Sequence, residues 1–345
     1  MLSANPIVSC PECDHGPESL IGRRDFIRVL GASAMAAALP LSPLAQARAA
    51  RAEKQAAAEQ LVFELFASMD ADQKKQLVLP WDYKSGGQPL PARLMTANAP
   101  VGKSVIGLVY NKKQVELLDR IFRSIANGEE GYKQLSRNKT FDNSGDFESI
   151  GALIYGEPAA GKKFSLVFCG HHITVRCDGN SEEKTAFGGP LYYGHSPSGY
   201  AKTNVFHYQT EVVTALFDSL NADQKKTAVK PGKWADGVQT VKLPAKDAKG
   251  PGIGINDLTK DQKKLVETVM AKLVSPYRKE DGDEVMEIIK ANGGMEKISI
   301  AFYEEGKSSA KEPWNHWRLE GPGFVWSYRA LPHIHTFVNI SSNLA

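Results

Sequence analysis

The chain has 345 residues, 42% of them hydrophobic and 23% charged, with a formal net charge of +3. That is ordinary for a folded globular protein, with enough apolar material for one large core or two intimate ones. Acids and bases are interspersed, which excludes the basic footprint of a nucleic-acid binder. The blocks Asp72-Gln73-Lys74-Lys75, Asp223-Gln224-Lys225-Lys226 and Asp261-Gln262-Lys263-Lys264 each open on an acid and read as solvated helix faces.

At the N-terminus, Gly22-Arg23-Arg24-Asp25-Phe26-Ile27-Arg28 carries a twin-arginine pattern, followed by an apolar run from Val29 to Leu44. Pro40 and Pro43 interrupt the run, and Ala45-Gln46-Ala47 or Ala47-Arg48-Ala49 offers a small-residue cleavage site. Residues 1–49 therefore read as a signal for the twin-arginine translocation machinery rather than a membrane span. The expected product is periplasmic or extracellular, with no membrane insertion of the mature protein. Cys10, Cys13 and His15 resemble a metal knuckle but precede the signal and leave with it. Cys169 and Cys177 remain, too few for a disulfide scaffold, and are expected as free buried thiols. Because the twin-arginine route carries folded proteins, often loaded with a cofactor, it raises the expectation of a metal.

The region 50–345 reads as one globular body made of two tandem related units, about 60–178 and 211–340. Glu64 to Lys75 recurs as Ala215 to Lys226, an offset of 151 residues, and Gly170 maps at the same offset onto Gly321. Each unit reads as helix, turn, helix, a loop opening near Trp81 or Trp234, a further helix, then strands. Apolar stripes predict helices near Lys112–Ala126, Tyr208–Leu220 and Thr259–Leu273. Asp70, Asn221 and Thr259 each precede a Gln by three residues, the spacing of a capping box. The fold class is α+β: two pseudo-duplicated units of helices plus antiparallel sheet, joined by a Gly- and Pro-rich loop at 179–210. A second loop, Lys230 to Gly254, reads as connective.

Histidines carry the site reading. His333 and His335 lie two apart in Pro332-His333-Ile334-His335-Thr336-Phe337-Val338, a strand-like run that would point both the same way. His171-His172 lies in the corresponding region of the first unit. Alternation along Phe164–Cys177 would turn His171 to the core and His172 to a wetter side, unless a bulge at Gly170 shifts the parity. If the two pairs meet, three or four imidazoles could bind zinc, copper, iron or nickel. Glu211 is a candidate ligand or general base, and His195 a candidate catalytic group. Tyr192 and Tyr193 on the Gly-rich loop, with Arg176 and Glu320, are candidate substrate contacts. Phe324, Trp326 and Tyr328 alternate on one strand face and read as core. The phosphate-loop lookalike Gly151–Lys163 fails because Phe164 opens a strand, not a helix.

Several of these elements together resemble the domain-of-unknown-function 3500 family. They are the twin-arginine leader, Leu65-Phe66-Ala67-Ser68-Met69 running into Pro80-Trp81-Asp82, and Gly170-His171-His172. To these add Gly189-Pro190-Leu191-Tyr192-Tyr193-Gly194 with Glu211, the helix around Gln262, and Glu320-Gly321-Pro322 leading to His333-Ile334-His335-Thr336. Pro332-His333 departs from the Asn-His that such members tend to carry. The resemblance implies fold and site position and assigns no reaction. Two functional readings follow: a metal-dependent hydrolase or redox enzyme acting on a small molecule, or a non-catalytic small-molecule or glycan binding module whose histidines are structural.

Overall fold

A computed structural model describes residues 57–232, 238–245, 247–307, 309 and 311–343. The leader, its cleavage region and Trp234 lie outside the described residues. Helix α1 (57–68) leads through Asp70 into α2 (Ala71–Leu77) and the two-residue strand β1 (Val78–Leu79). After a long segment come α3 (Ile106–Val109), α4 (Lys112–Ile125) and α5 (Gly128–Leu135). Strands β2 (Gly151–Gly156), β3 (Phe164–Gly170), β4 (Ile173–Cys177) and β5 (Leu191–His195) complete the first half.

The second half also runs from helices into a final set of four strands. It has α6 (His207–Ser219), α7 (Ala222–Ala228), β6 (Val229–Lys230), β7 (Ile253–Gly254), α8 (Lys260–Val274) and α9 (Lys279–Ala291). Then follow β8 (Ser299–Tyr303), β9 (His316–Gly321), β10 (Phe324–Arg329) and β11 (Ile334–Ile340). The expected long helices are present within a residue or two of their anticipated ends. The Gly-rich segment is not all loop: it contains β5.

All eleven described strands form one mixed sheet, in the order β1-β2-β3-β4-β5-β11-β10-β9-β8-β6, with β7 beside β8. The sheet is not purely antiparallel, because β1 runs parallel to β2 and β6 parallel to β8. Outward from the central β5–β11 pair, the two halves present their strands in matching sequence: β4, β3, β2, β1 on one side and β10, β9, β8, β6 on the other.

Strand alternation gives the sheet two unlike faces. One carries Phe168, Val175, Tyr193, Val338, Trp326 and Leu319, all buried, and the helices pack on it. Phe122 of α4 meets Phe168 edge-on at 5.3 Å, and Phe217 of α6 meets Phe302 at 4.9 Å. The expected aromatic stripe Phe324, Trp326, Tyr328 is part of this core. By register, the opposite face carries Thr174, Arg176, Tyr192, His335, Arg329, Arg318 and Glu320. Polar residues can be buried there because loops cover them and supply partners.

The three anticipated capping boxes are formed, and Asn111–Gln114 makes a fourth. They do more than start helices. Gln114 Nε2 donates to Ser68 O at 3.1 Å and meets Gln73 Oε1 at 3.0 Å, while Gln262 Nε2 donates to Ser219 O at 2.8 Å and to Gln224 Oε1 at 2.8 Å. Each pair of glutamines ties a short helix to a long one inside the protein. Gln114→Ala removes a buried side chain and leaves the Ser68 carbonyl and the Asn111 amide without these partners, which should cost about 1–3 kcal/mol in urea unfolding. An exposed control such as Lys113→Ala should change stability by less than about 0.5 kcal/mol.

Candidate metal centre

The strand expected over Phe164–Cys177 is a hairpin. Gly170 pairs with Ile173, so His171 and His172 alone make the turn between β3 and β4. The turn reverses the anticipated orientations: His172 is buried, 1% exposed, and His171 is half-exposed at the rim. In the other half, Gly321 pairs with Phe324 around a Pro322-Gly323 turn. Gly323 has φ +62° and His172, 151 positions earlier, has φ +56°. A left-handed backbone suits glycine and costs an ordinary residue about 1–2 kcal/mol. The first half holds a histidine where the second holds a glycine. Such strain persists where the surrounding structure over-determines it, most often at functional sites.

The hairpin turn lies beside the central strand pair. His335 on β11 pairs with Gly194 on β5, and the His172 ring packs over that glycine. A Cβ on residue 194 would stand 3.2 Å from His172 Cγ and run into the Ile334 carbonyl, so only glycine lets the imidazole approach. His333 lies just before β11 yet converges with His335. Nε2 of His335 is 2.9 Å from Nε2 of His333 and 3.1 Å from Nε2 of His172. The ligand atoms of all three lie within 4.8 Å of one another. Around a tetrahedral zinc with bonds near 2.0–2.1 Å, neighbouring nitrogens stand about 3.3 Å apart.

Asp142 sets the protonation pattern. Its Oδ2 is 2.6 Å from His172 Nδ1 and accepts the Ser196 amide at 2.9 Å, while its Oδ1 accepts the Ser196 hydroxyl at 2.6 Å. Burial alone would raise the carboxyl's pKa; the hydrogen bonds from His172 and Ser196 and the nearby Arg137 charge pull it well below the usual carboxylate range. For His172, burial outweighs the Asp142 contact and lowers the pKa to about 4. Burial, with His172 and Arg329 close by, lowers His333 to about 4 as well. Both rings are therefore neutral near pH 7. With the His172 proton on Nδ1 facing Asp142, its Nε2 lone pair points at the other imidazoles. A ring nitrogen either donates or accepts, and Nε2 of His335 stands within hydrogen-bond distance of two others. One cation at the same point would satisfy all three lone pairs. A carboxylate behind a ligating histidine is the usual orienting device of such sites.

Further supports come from unexpected places. The His172 amide donates to Asn98 Oδ1 at 2.7 Å, and the Tyr192 hydroxyl donates to the same oxygen at 3.2 Å. Five of the six residues from Arg137 to Asp142 are left-handed: Arg137, Asn138, Lys139, Phe141 and Asp142. Buried Phe141, set among Phe122 and Phe147, anchors this segment. So does buried Arg137, whose Nη2 donates to the His171 carbonyl at 3.0 Å. Burial lowers the Arg137 pKa to about 10, which still leaves it cationic behind Asp142. No histidine- or glutamate-based pattern pointed to Asp142, Asn98 or Ser196. Each belongs to a turn or loop, and only the tertiary fold brings them to His172.

The remaining candidates are dispersed. His171 stacks against His172 at 3.8 Å and accepts from the Asn143 amide. His195, at the end of β5, accepts from the Val205 amide at 3.2 Å. Tyr192 lines the site, 5.4 Å ring to ring from His335 and stacked on Phe337. Tyr193, one residue on, faces the helices and bonds Gln209, so it is core rather than a loop contact. Arg176 is buried and donates to the carbonyls of Arg93, Met95 and Pro190, pinning the loop that delivers Asn98. Glu320 is buried against Arg318. Glu211, with its side chain 62% exposed, pairs with His207 at 3.5 Å on α6, outside the histidine cluster. Neither Cys169 nor Cys177 forms a disulfide. Cys169 is buried, which pushes its thiol up to about 11; Cys177 is half-buried.

Fold and site together define an α+β protein with a histidine–aspartate group able to hold a metal ion. The chain belongs to the DUF3500 family, described as a protein of unknown function, whose model matches residues 51–342. No curated protein and no solved structure matches it.

The strain at residue 172 can be isolated from its side chain. His172→Gly and His172→Ala both remove the imidazole, but glycine relieves the left-handed turn and should be the more stable variant by about 1 kcal/mol. Urea unfolding of the two checks it, and equal stabilities would mean that the turn is unstrained.

Proposed function

We propose that His172, His333 and His335 hold one transition-metal ion through their Nε2 atoms, and that the chain is a metal-dependent enzyme. The observation that carries this is the convergence of the nitrogens at 2.9 and 3.1 Å with Asp142 fixing the His172 tautomer. Three protein ligands leave one position for water or substrate, the arrangement of catalytic rather than structural zinc sites. A bound ion there would lower the pKa of a water molecule or polarise a carbonyl oxygen. All-imidazole donors suit zinc, copper, iron and nickel. Zinc at this position would serve metal-assisted hydrolysis of a small substrate; copper or iron would turn the same position to redox chemistry.

Two further parts of the reading have sequence support. Residues 1–49 would direct the folded, metal-loaded chain through the twin-arginine route to the periplasm or beyond; among the described residues, no helix is long and apolar enough to cross a membrane. The units at about 60–178 and 211–340 would descend from a tandem duplication. The 151-residue offset, the mirrored strand order and the paired glutamines support that origin.

Elemental analysis of untagged protein purified from the periplasm tests the metal. The expected result is about one metal ion per chain in the native protein, and none in His333→Ala/His335→Ala that still unfolds cooperatively. A native protein without metal, or a double variant that retains it, would refute the proposal. The first of these outcomes would favour histidines that only join the two halves.

A further inference from the structure

Arg329 bears on what the open position would take. It sits on β10 directly opposite His335 of β11. Its guanidinium reaches back over the preceding turn: Nε donates to the His333 carbonyl at 3.3 Å, and Nη2 stands 3.4 Å from His333 Nε2. That nitrogen is the atom assigned to the metal. The guanidinium carries donors only and stays charged at any physiological pH. An ion on His333 Nε2 takes the lone pair that Nη2 faces and brings a second positive charge close to the first. An acceptor carrying negative charge, set between ion and guanidinium, offsets the two like charges. His172 is buried while His333 and His335 are half-buried, and Arg329, also half-buried, lies against His333.

Resting on the metal reading above, we infer that the fourth position takes an oxyanion, the carboxylate or phosphate group of a small substrate, bridged between the ion and Arg329. A planar two-pronged donor matches either group, and charge-assisted bonds of this kind are among the stronger ones available to a protein. On this account Arg329 is a specificity residue: it selects an anionic substrate and orients it on the metal, and it is not itself a ligand.

Cobalt(II) substitution makes the site visible. The protein is loaded with cobalt(II) and its absorption spectrum is titrated with acetate and, separately, with inorganic phosphate, for the native chain, Arg329→Gln and Arg329→Lys. At least one anion should perturb the native spectrum saturably, and whichever binds more tightly names the group. Arg329→Gln should weaken that binding by about tenfold or more, the loss expected for a charge-assisted contact, with cobalt(II) affinity and urea midpoint held. Arg329→Lys should recover part of the loss. Cobalt(II) binding with no anion response, or with equal anion affinity in native and Arg329→Gln, would overturn the inference and leave the metal site standing. Failure of the native chain to bind cobalt(II) would refute both.

Discussion

The pairing of β5 with β11 is the joint on which the histidine cluster depends. Among the described residues it is where the two series of strands pair, and it sets a turn from the first series against the last strand of the second. Gly194 makes the joint close enough for the His172 ring to lie over the backbone opposite His335. His172 and His335 lie 163 residues apart in the chain, so no local segment assembles the group. Sheet registers are strongly specified when one face is a packed core. Here the apolar face, with Tyr193 and Val338 beside each other's strands, fixes the register that aligns the polar face.

Strain collects around this joint. The left-handed run ending at Asp142 and the left-handed His172 turn face each other, joined by the 2.6 Å contact between carboxylate and imidazole. Each such residue costs on the order of 1 kcal/mol, and the buried anchors Phe141 and Arg137 offset that cost by fixing both ends of the run. The Pro322-Gly323 turn shows that the same hairpin can be built with glycine in the left-handed position. In the first half a histidine held by Asp142 fills that left-handed position.

Much of this was legible in the chain. The helices followed from periodicity and capping spacing because both are local properties, and the glutamines marked true caps. The apolar stripe Phe324, Trp326, Tyr328 was core, as alternation implied. His333 and His335 were legible because two histidines at a spacing of two share a side on extended backbone. The His171-His172 turn was not, because its composition is that of a strand and neither residue is a usual turn former. Gly and Pro around β5 likewise hid a strand that earns its place through pairing on both sides. Asp142 was hidden by distance: its partner is 30 residues away, across a backbone conformation that sequence patterns do not signal.

X-ray absorption at the metal edge of the purified native protein tests the central claim most directly. The account predicts a first shell of light atoms only, with the outer-shell scattering of three imidazoles and, for zinc, bonds of about 2.0–2.1 Å. A first shell containing sulfur, or one with fewer than three imidazoles, would contradict it.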